Sequence, residues 1–211
     1  MTQALNLTVT CVKVGTRYGP EYVNRLASMV ARHSTRPHRF LCLTDDPIGV
    51  ECETAYVGTD LPGWWAKLVL FKPHPELVGQ RVVFLDLDTV IVGNVDFLLD
   101  YRGPFAILQD FYWPKKYGSA IMSIEAGFGQ QVWELFKAKE IGRYPGDQEW
   151  IQRHISHPDL WQDLAPKKIA SYKVDILESG HKGESVICFH GEPKPADLLW
   201  DDPIRLAWES A

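Results

Sequence analysis

The chain has 211 residues, of which 45% are apolar and 23% charged, so disorder and coiled coil are excluded as its main character. Lys and Arg number 22 against 27 Asp and Glu, and the net charge of -5 disfavours a general nucleic-acid binder, although a local basic patch stays compatible with it. No apolar run is long enough to cross a bilayer, and the first ten residues lack the pattern of an export signal. No two of the four cysteines have metal-binding or redox spacing, so we expect reduced thiols in a cytoplasmic protein.

The first half of the chain alternates predicted strands and helices. Apolar patterning predicts strands at residues 5–14, 39–44, 53–57 and 81–87, with the last continuing extended through 89–92. Pro20 suits the first turn of a helix, and the apolar residues that follow it have helical spacing. Residues 63–71, GWWAKLVLF, also have helical character. This alternation predicts an α/β fold with a sheet that is at least partly parallel.

The second half continues with strands at 105–108 and 120–124 and a helix at 128–139, with Val132, Leu135 and Phe136 facing inward. A short helix is expected at 146–155 and a last strand at 184–189. The tail from 196 to 208 is amphipathic, with Pro203 interrupting it. No linker or repeat divides the chain, so we expect one domain over residues 1–211.

The strongest chemical signal is VVFLDLDTVIV, residues 82–92. Asp86 and Asp88 follow an apolar strand, at the edge where open α/β sheets bind ligands. If this stretch is extended, both side chains point to the same side. Two carboxylates on one side suit Mg²⁺ or Mn²⁺, and such an ion suits a phosphate-bearing substrate.

Two further segments carry candidate site residues. FHGEPKP, residues 189–195, offers His190 as a metal ligand, Gly191 for close backbone approach and Lys194 for a phosphate. In GDQEW, residues 146–150, Asp147 and Gln148 are either a helix cap with a surface amide or a polar pair that meets a substrate.

Two families share the DLDTV pattern. Asp86, Asp88 and Val90 fit the nucleophile motif of the haloacid-dehalogenase phosphatases, but that motif normally lies near the start of its domain, and FHGEPKP has no place in that family. From the first strand to Pro195, the chain resembles the GT-A glycosyltransferases, particularly family 8, which includes glycogenin. The shared order is an acidic turn after the second strand, a Lys-bearing aromatic helix, the Asp-x-Asp strand, a Gly-Ser-Ala-Ile-Met segment, an Asp-Gln pair and a His/Gly/Lys-Pro loop.

The resemblance implies a single GT-A domain, with a mixed, mostly parallel central sheet flanked by helices. It also implies a sugar donor linked to a nucleoside diphosphate, with uridine as the usual base, a divalent ion that is usually Mn²⁺, and retention of anomeric configuration. The implied metal ligands are Asp86, Asp88 and His190. The implied donor contacts are Val12, Lys13, Lys67, Asp86, Gly191 and Lys194, and the pair near the anomeric carbon is Asp147 and Gln148.

The final motif departs from the family pattern, because His190 directly precedes Gly191 and Cys188 occupies the usual histidine position. A thiolate is a poor ligand for Mn²⁺ or Mg²⁺, so His190 is the preferred ligand. For each of Trp64, Trp65, Trp113 and Trp150, stacking on sugar rings is an alternative to core packing. The acceptor is not indicated. The alternative functions are a phosphatase with Asp86 as nucleophile and a non-catalytic nucleotide-sugar binder.

Overall fold

The architecture is an α/β arrangement of two sheets, seen in a computed structural model that describes residues 6–211. Leu5, where the first strand was predicted to begin, lies outside the described residues. The strands are β1 Leu7–Lys13, β2 Arg39–Thr44, β3 Glu53–Tyr56, β4 Arg81–Leu85, β5 Thr89–Ile91, β6 Phe105–Gln109, β7 Tyr117–Ile124, β8 Asp159–Leu160, β9 Ile169–Ser171 and β10 Val186–Cys188. The α-helices are α1 Pro20–His33, α2 Asp96–Leu99, α3 Gln131–Glu134, α4 Asp147–His154, α5 Trp161–Leu164, α6 Leu177–Ser179 and α7 Pro203–Glu209.

The large sheet is mixed and mostly parallel, as the sequence predicted. Its seven strands have the order β3-β2-β1-β4-β7-β6-β8. Strands β3, β2, β1 and β4 are parallel to one another, β7 is antiparallel to both β4 and β6, and β8 is parallel to β6. The carboxyl ends of the parallel strands therefore meet at one edge of the sheet.

Side chains of the central strands alternate between two cores, one on each face of this sheet. In β4, Val83 and Leu85 join the core under α1, whereas Val82 and Phe84 join the core under α4. This period of two is the geometry of a strand that is buried on both faces. Burial on both faces explains why residues 82–85 form a continuous apolar run in the sequence.

The small sheet has the order β5-β10-β9, and the chain enters it from β4 through a tight turn. The extended structure predicted through residues 81–92 is therefore interrupted at Asp86–Leu87–Asp88. There the amide of Thr89 donates to the carbonyl of Asp86 at 3.1 Å. Strand β5 then pairs antiparallel with β10, which is parallel to β9. Both sheets thus contribute to the surroundings of the two aspartates.

The predicted helix over 128–139 is mostly wrong. Only α3 is α-helical there, a short 3-10 turn covers Ala138–Glu140, and Leu135 is 55% exposed rather than inward. Val132 is buried as expected. Phe136 packs between Trp65 and Trp150, with ring centroids at 5.2 and 5.3 Å, so tertiary packing competes with the helical pattern.

Two other helical segments differ from their predictions in detail. Residues 63–71 form a 3-10 helix, Gly63–Phe71, rather than an α-helix. Pro203 begins α7 instead of interrupting it, because a missing amide proton is tolerated in the first turn. Asp202 caps that helix by accepting from the amides of Ile204 and Arg205.

Residues 6–211 contain no helix with the length and apolar character needed to traverse a lipid bilayer.

Candidate active site

A cleft of about 680 Å³ opens at the carboxyl ends of β1 and β4, beside the end of β10. It gathers side chains from motifs that are far apart in sequence. Most of the sequence-predicted site residues line it, namely Val12, Lys67, Asp86, Asp88, Asp147, Gln148, His190, Gly191 and Lys194.

Lys13 is not brought to this cleft. Its side chain is buried, and its ammonium donates to the carbonyl of Asp46 at 3.3 Å. Side chains alternate along a strand, so Val12 and its neighbour Lys13 face different sides. Of this pair, only Val12 lines the cleft.

Asp86 is held at the end of β4 and is paired with a lysine. Its amide donates to the carbonyl of Ala120 at 2.9 Å, which ties the turn to β7. Both carboxylate oxygens lie 2.8 Å from the ammonium of Lys67. Burial raises the pKa of Asp86 to about 7, since the attraction of Lys67 is offset by the repulsion of Asp88 and Asp147.

Lys67 remains a cation in this setting. Burial alone would lower its pKa, but Asp86, Asp147 and Asp88 together raise the pKa above its usual value. Lys67 is placed by the 3-10 helix Gly63–Phe71, whose apolar side chains are buried around it. This helix therefore positions the positively charged side chain of Lys67 in the cleft.

Asp88 is only 5% exposed and pairs with a lysine from the last motif. Its Oδ2 accepts from the ammonium of Lys194 at 2.5 Å and from the hydroxyl of Tyr18 at 2.9 Å. Burial and the charge of Asp88 raise the pKa of Tyr18, so the hydroxyl stays a donor. The ion pair joins residues 106 positions apart and links the Asp-x-Asp turn to the loop after β10.

His190 also lines the cleft but is engaged with the protein. Its ring stacks on Phe111 and meets Tyr112 edge-on, with centroids at 5.7 and 5.2 Å. Its Nε2 lies 2.6 Å from the hydroxyl oxygen of Ser171. Burial and the nearby ammonium of Lys173 lower the pKa of His190, which favours the neutral imidazole.

Cys188, in the position where the resembling family has histidine, is a buried thiol. Burial, and then the charges of Asp88 and Asp86, raise its pKa well above the usual value. A protonated thiol is not a metal ligand. The preference for His190 over Cys188 as a metal ligand stays a prediction.

The two aspartates suit a divalent ion of the Mg²⁺ or Mn²⁺ type. They are hard oxygen donors at one cleft, and among the hydrogen bonds of residues 6–211 none uses Oδ1 of Asp88. The mutual repulsion that raises the pKa of Asp86 would be relieved by a bound dication. Three ligating side chains are not clustered within the described residues, so His190 as third ligand stays a prediction.

Asp147 is a buried carboxylate, and its Oδ2 has no hydrogen-bond partner within the described part of the chain. It is the first residue of α4, where the helix dipole favours negative charge. Gly146 is the N-cap residue, and no side chain caps the helix, so the cap reading of Asp147 is wrong. The neighbouring Gln148 lines the same cleft, and its amide reaches Glu149 at 3.5 Å. Asp147 is therefore available to a ligand.

The four tryptophans considered for stacking on sugar rings lie in different surroundings. Trp65 and Trp150 are 5% and 4% exposed and belong to the core, so core packing, rather than stacking on a sugar ring, is confirmed for these two. Trp64 is 49% exposed and lines the cleft. Trp113 is 65% exposed, in the loop between β6 and β7, but does not line the cleft.

Sequence reasoning missed several residues at or beside the cleft, among them Tyr18, Phe111, Tyr112 and Lys173. Tyr18 lies in the turn after β1, a position that could have been noted because it follows the strand end that holds Val12. Nothing in the sequence near Lys173 indicates a site.

Comparisons with known proteins identify the fold. No family model matches the chain. Human glycogenin-2 is 27% identical over 126 residues, which cover 55% of this chain and 25% of that protein. The crystal structure of the glycosyltransferase GlyE from Streptococcus pneumoniae TIGR4 matches 97% of this chain and 59% of its own, with a TM-score of 0.69 and 12% identity. The galactosyltransferase LgtC, in complex with donor and acceptor sugar analogs, matches 97% of this chain and 96% of its own, with a TM-score of 0.57 and 13% identity.

The chain therefore has the GT-A glycosyltransferase fold. Within that class it resembles family 8, as the similarity to glycogenin-2 indicates. It spans about a quarter of the length of glycogenin-2.

Proposed function

We propose that this chain is a metal-dependent glycosyltransferase that moves a sugar from a nucleoside diphosphate sugar, with UDP as the expected nucleotide, to an acceptor. The observation that supports this most is the ion pair between Asp88 and Lys194. This ion pair brings the Asp-x-Asp motif, which the resemblance assigns to the metal, next to the loop that it assigns to the diphosphate. Both residues line the same cleft.

In this proposal Asp86, Asp88 and His190 hold Mn²⁺ or Mg²⁺. When bound, the ion supplies positive charge that stabilises the departing diphosphate. Lys194 and Lys67 add fixed positive charge at the same place, each already desolvated beside a carboxylate. Val12 and Gly191, which line the cleft, are assigned to the nucleotide in this proposal.

The buried carboxylate of Asp147, with Gln148 beside it, is assigned to the reacting sugar. A negative charge fixed close to the anomeric carbon would stabilise the positive charge that develops there. Retention of configuration is the outcome that the resemblance implies. LgtC was crystallised with an acceptor sugar analog. Here Trp64 and Tyr112, exposed at the rim, offer apolar faces to such a ring.

The phosphatase alternative has no structural support. Asp86, its nucleophile, is bound through both oxygens to Lys67, and Asp88, its acid/base, is bound to Lys194 and Tyr18. We also propose that the protein acts in the cytoplasm, because its four cysteines lack metal-binding or redox spacing and are expected to be reduced thiols.

Thermal stability with ligands tests this function. We expect UDP together with Mn²⁺ to raise the melting temperature of the wild-type protein. At a hundredfold excess of ligand over its dissociation constant, the free energy of unfolding should increase by about 2.7 kcal/mol. Uridine with Mn²⁺ is the control and should have little effect, because it lacks the diphosphate. The proposal would be contradicted if neither UDP nor any other nucleoside diphosphate shifted the melting temperature.

A further inference from the structure

Lys173 is held at the edge of the cleft by the structure that follows β9. Strands β9 and β10 are parallel, so both end beside the Asp-x-Asp turn. After β9 the chain forms a π-helical turn, Tyr172–Ile176. Two hydrogen bonds fix this turn: the amide of Ser171 donates to Asp175 at 2.7 Å, and the amide of Val174 donates to the hydroxyl oxygen of Ser171 at 3.1 Å. Such turns are frequent at functional sites.

The ammonium of Lys173 lies against the loop that the last motif contributes to the cleft. Gly191 has a φ of +67°, and a Cβ placed there would lie 3.0 Å from Nζ of Lys173. Since Gly191 and His190 both line the cleft, Lys173 adds positive charge at its edge.

Within residues 6–211 the ammonium of Lys173 has no anionic partner, whereas the other cationic side chains at the cleft each have one. Lys67 pairs with Asp86, Lys194 pairs with Asp88, and Arg17 lies 3.6 Å from Glu192 in the same loop. Among residues 6–211, no ion pair or hydrogen bond involves the ammonium of Lys173. A half-buried cation that the fold fixes beside an open cleft, without an anion of its own, is a site for an anionic ligand.

We propose that Lys173 binds the diphosphate of the donor nucleotide, together with Lys194. This inference rests on the proposed function, because the ligand is the nucleotide that the cleft is assigned. Without ligand, the charge of Lys194 is matched by Asp88, whereas that of Lys173 is not. Lys173 therefore supplies positive charge to the diphosphate without breaking an existing ion pair.

Calorimetric titration of UDP in the presence of Mn²⁺ tests this role. We expect Lys173→Met to weaken UDP binding by about tenfold or more, since a charge-assisted hydrogen bond is lost. Lys168→Met is the matched control: Lys168 is exposed, and it lies at the other end of β9, before Ile169. The control should bind UDP as the wild type does. Lys173→Arg keeps the charge and should retain most of the affinity.

Two further readouts separate this inference from a general loss of structure. Without ligand, Lys173→Met should melt at the wild-type temperature, because no partner is lost, and it should bind uridine as weakly as the wild type. The dependence of UDP affinity on salt concentration should also become shallower, as one fewer cation contributes. If Lys173→Met does not fold, the UDP affinities of Lys173→Arg and Lys173→Gln are compared instead. We expect Lys173→Gln to bind UDP more weakly than Lys173→Arg, because only arginine keeps the positive charge.

Equal UDP affinity in wild type and Lys173→Met would overturn the role of Lys173 while leaving the proposed function intact. A wild-type protein that binds neither UDP nor another nucleoside diphosphate would overturn the proposed function, and this inference with it.

Discussion

Asp147→Asn is expected to reduce the rate of sugar transfer by about a hundredfold or more, while leaving UDP affinity close to that of the wild type. The reason is that the carboxylate is assigned to the positive charge that develops on the sugar, a charge that exists only in the transition state. A group that acts only there lowers the turnover number when it is removed, with little effect on ground-state binding. Initial rates and UDP titrations on the same preparations measure the two effects separately.

The same substitution should not destabilise the fold. Asp147 is 4% exposed, and among residues 6–211 its Oδ2 has no hydrogen-bond partner, so the cost of burying the carboxylate opposes the gain from the helix dipole. Asparagine has nearly the same shape and no charge. We therefore expect an unchanged or higher melting temperature, as is common where function and stability conflict.

Asp163→Asn is the matched control, because it makes the same change in the first turn of α5 at an exposed position. It should alter neither the rate nor the melting temperature. A wild-type transfer rate in Asp147→Asn would contradict the assignment of Asp147 to the reacting sugar.

Asp88→Asn is expected to abolish the Mn²⁺-dependent part of UDP binding and, in addition, to destabilise the folded protein. Asp88 and Lys194 are side chains only 7% and 10% exposed. Removing one partner leaves the other charge buried and uncompensated, which costs about 3–5 kcal/mol for a pair of this kind. Chemical denaturation without ligand measures the loss of stability, and titration of UDP with and without Mn²⁺ measures the loss of binding.

A double substitution separates the two consequences. In Asp88→Asn combined with Lys194→Met, the buried charge is absent, so much of the lost stability should return. Binding of UDP with Mn²⁺ should stay lost, because both the carboxylate and the diphosphate contact are missing. Undiminished Mn²⁺-dependent UDP binding in Asp88→Asn would exclude Asp88 as a metal ligand.

The central part of the fold could be predicted because its signals are local. Continuous apolar runs such as residues 82–85 identify strands buried on both faces, and that burial is observed. The positions of Asp86 and Asp88 followed from the rule that ligands bind at the carboxyl ends of such strands. Their mutual geometry did not, because they lie in a turn between two sheets rather than on one extended strand.

The other failures concern contacts between distant segments. The helix predicted over 128–139 is shortened where Phe136 packs against Trp65 and Trp150, which no periodicity in that window encodes. Lys173 reaches the cleft only because β9 pairs with β10 and a π-helical turn follows. Tyr18 likewise meets Asp88 across 70 positions of sequence. The sequence shows which residue types are available for such contacts, whereas the pairing of the strands determines which of them come together.

The most direct test of the glycosyltransferase assignment is the release of UDP from UDP-sugars. The wild-type protein is incubated with Mn²⁺ and each of several UDP-hexoses without an acceptor, and free UDP and free sugar are measured. We predict slow, Mn²⁺-dependent release from at least one donor, since water can replace the acceptor, and a much lower rate in Asp147→Asn. Binding of UDP-sugars without any cleavage, both without an acceptor and with a panel of sugar acceptors, would contradict catalysis and leave a nucleotide-sugar binder on a glycosyltransferase fold.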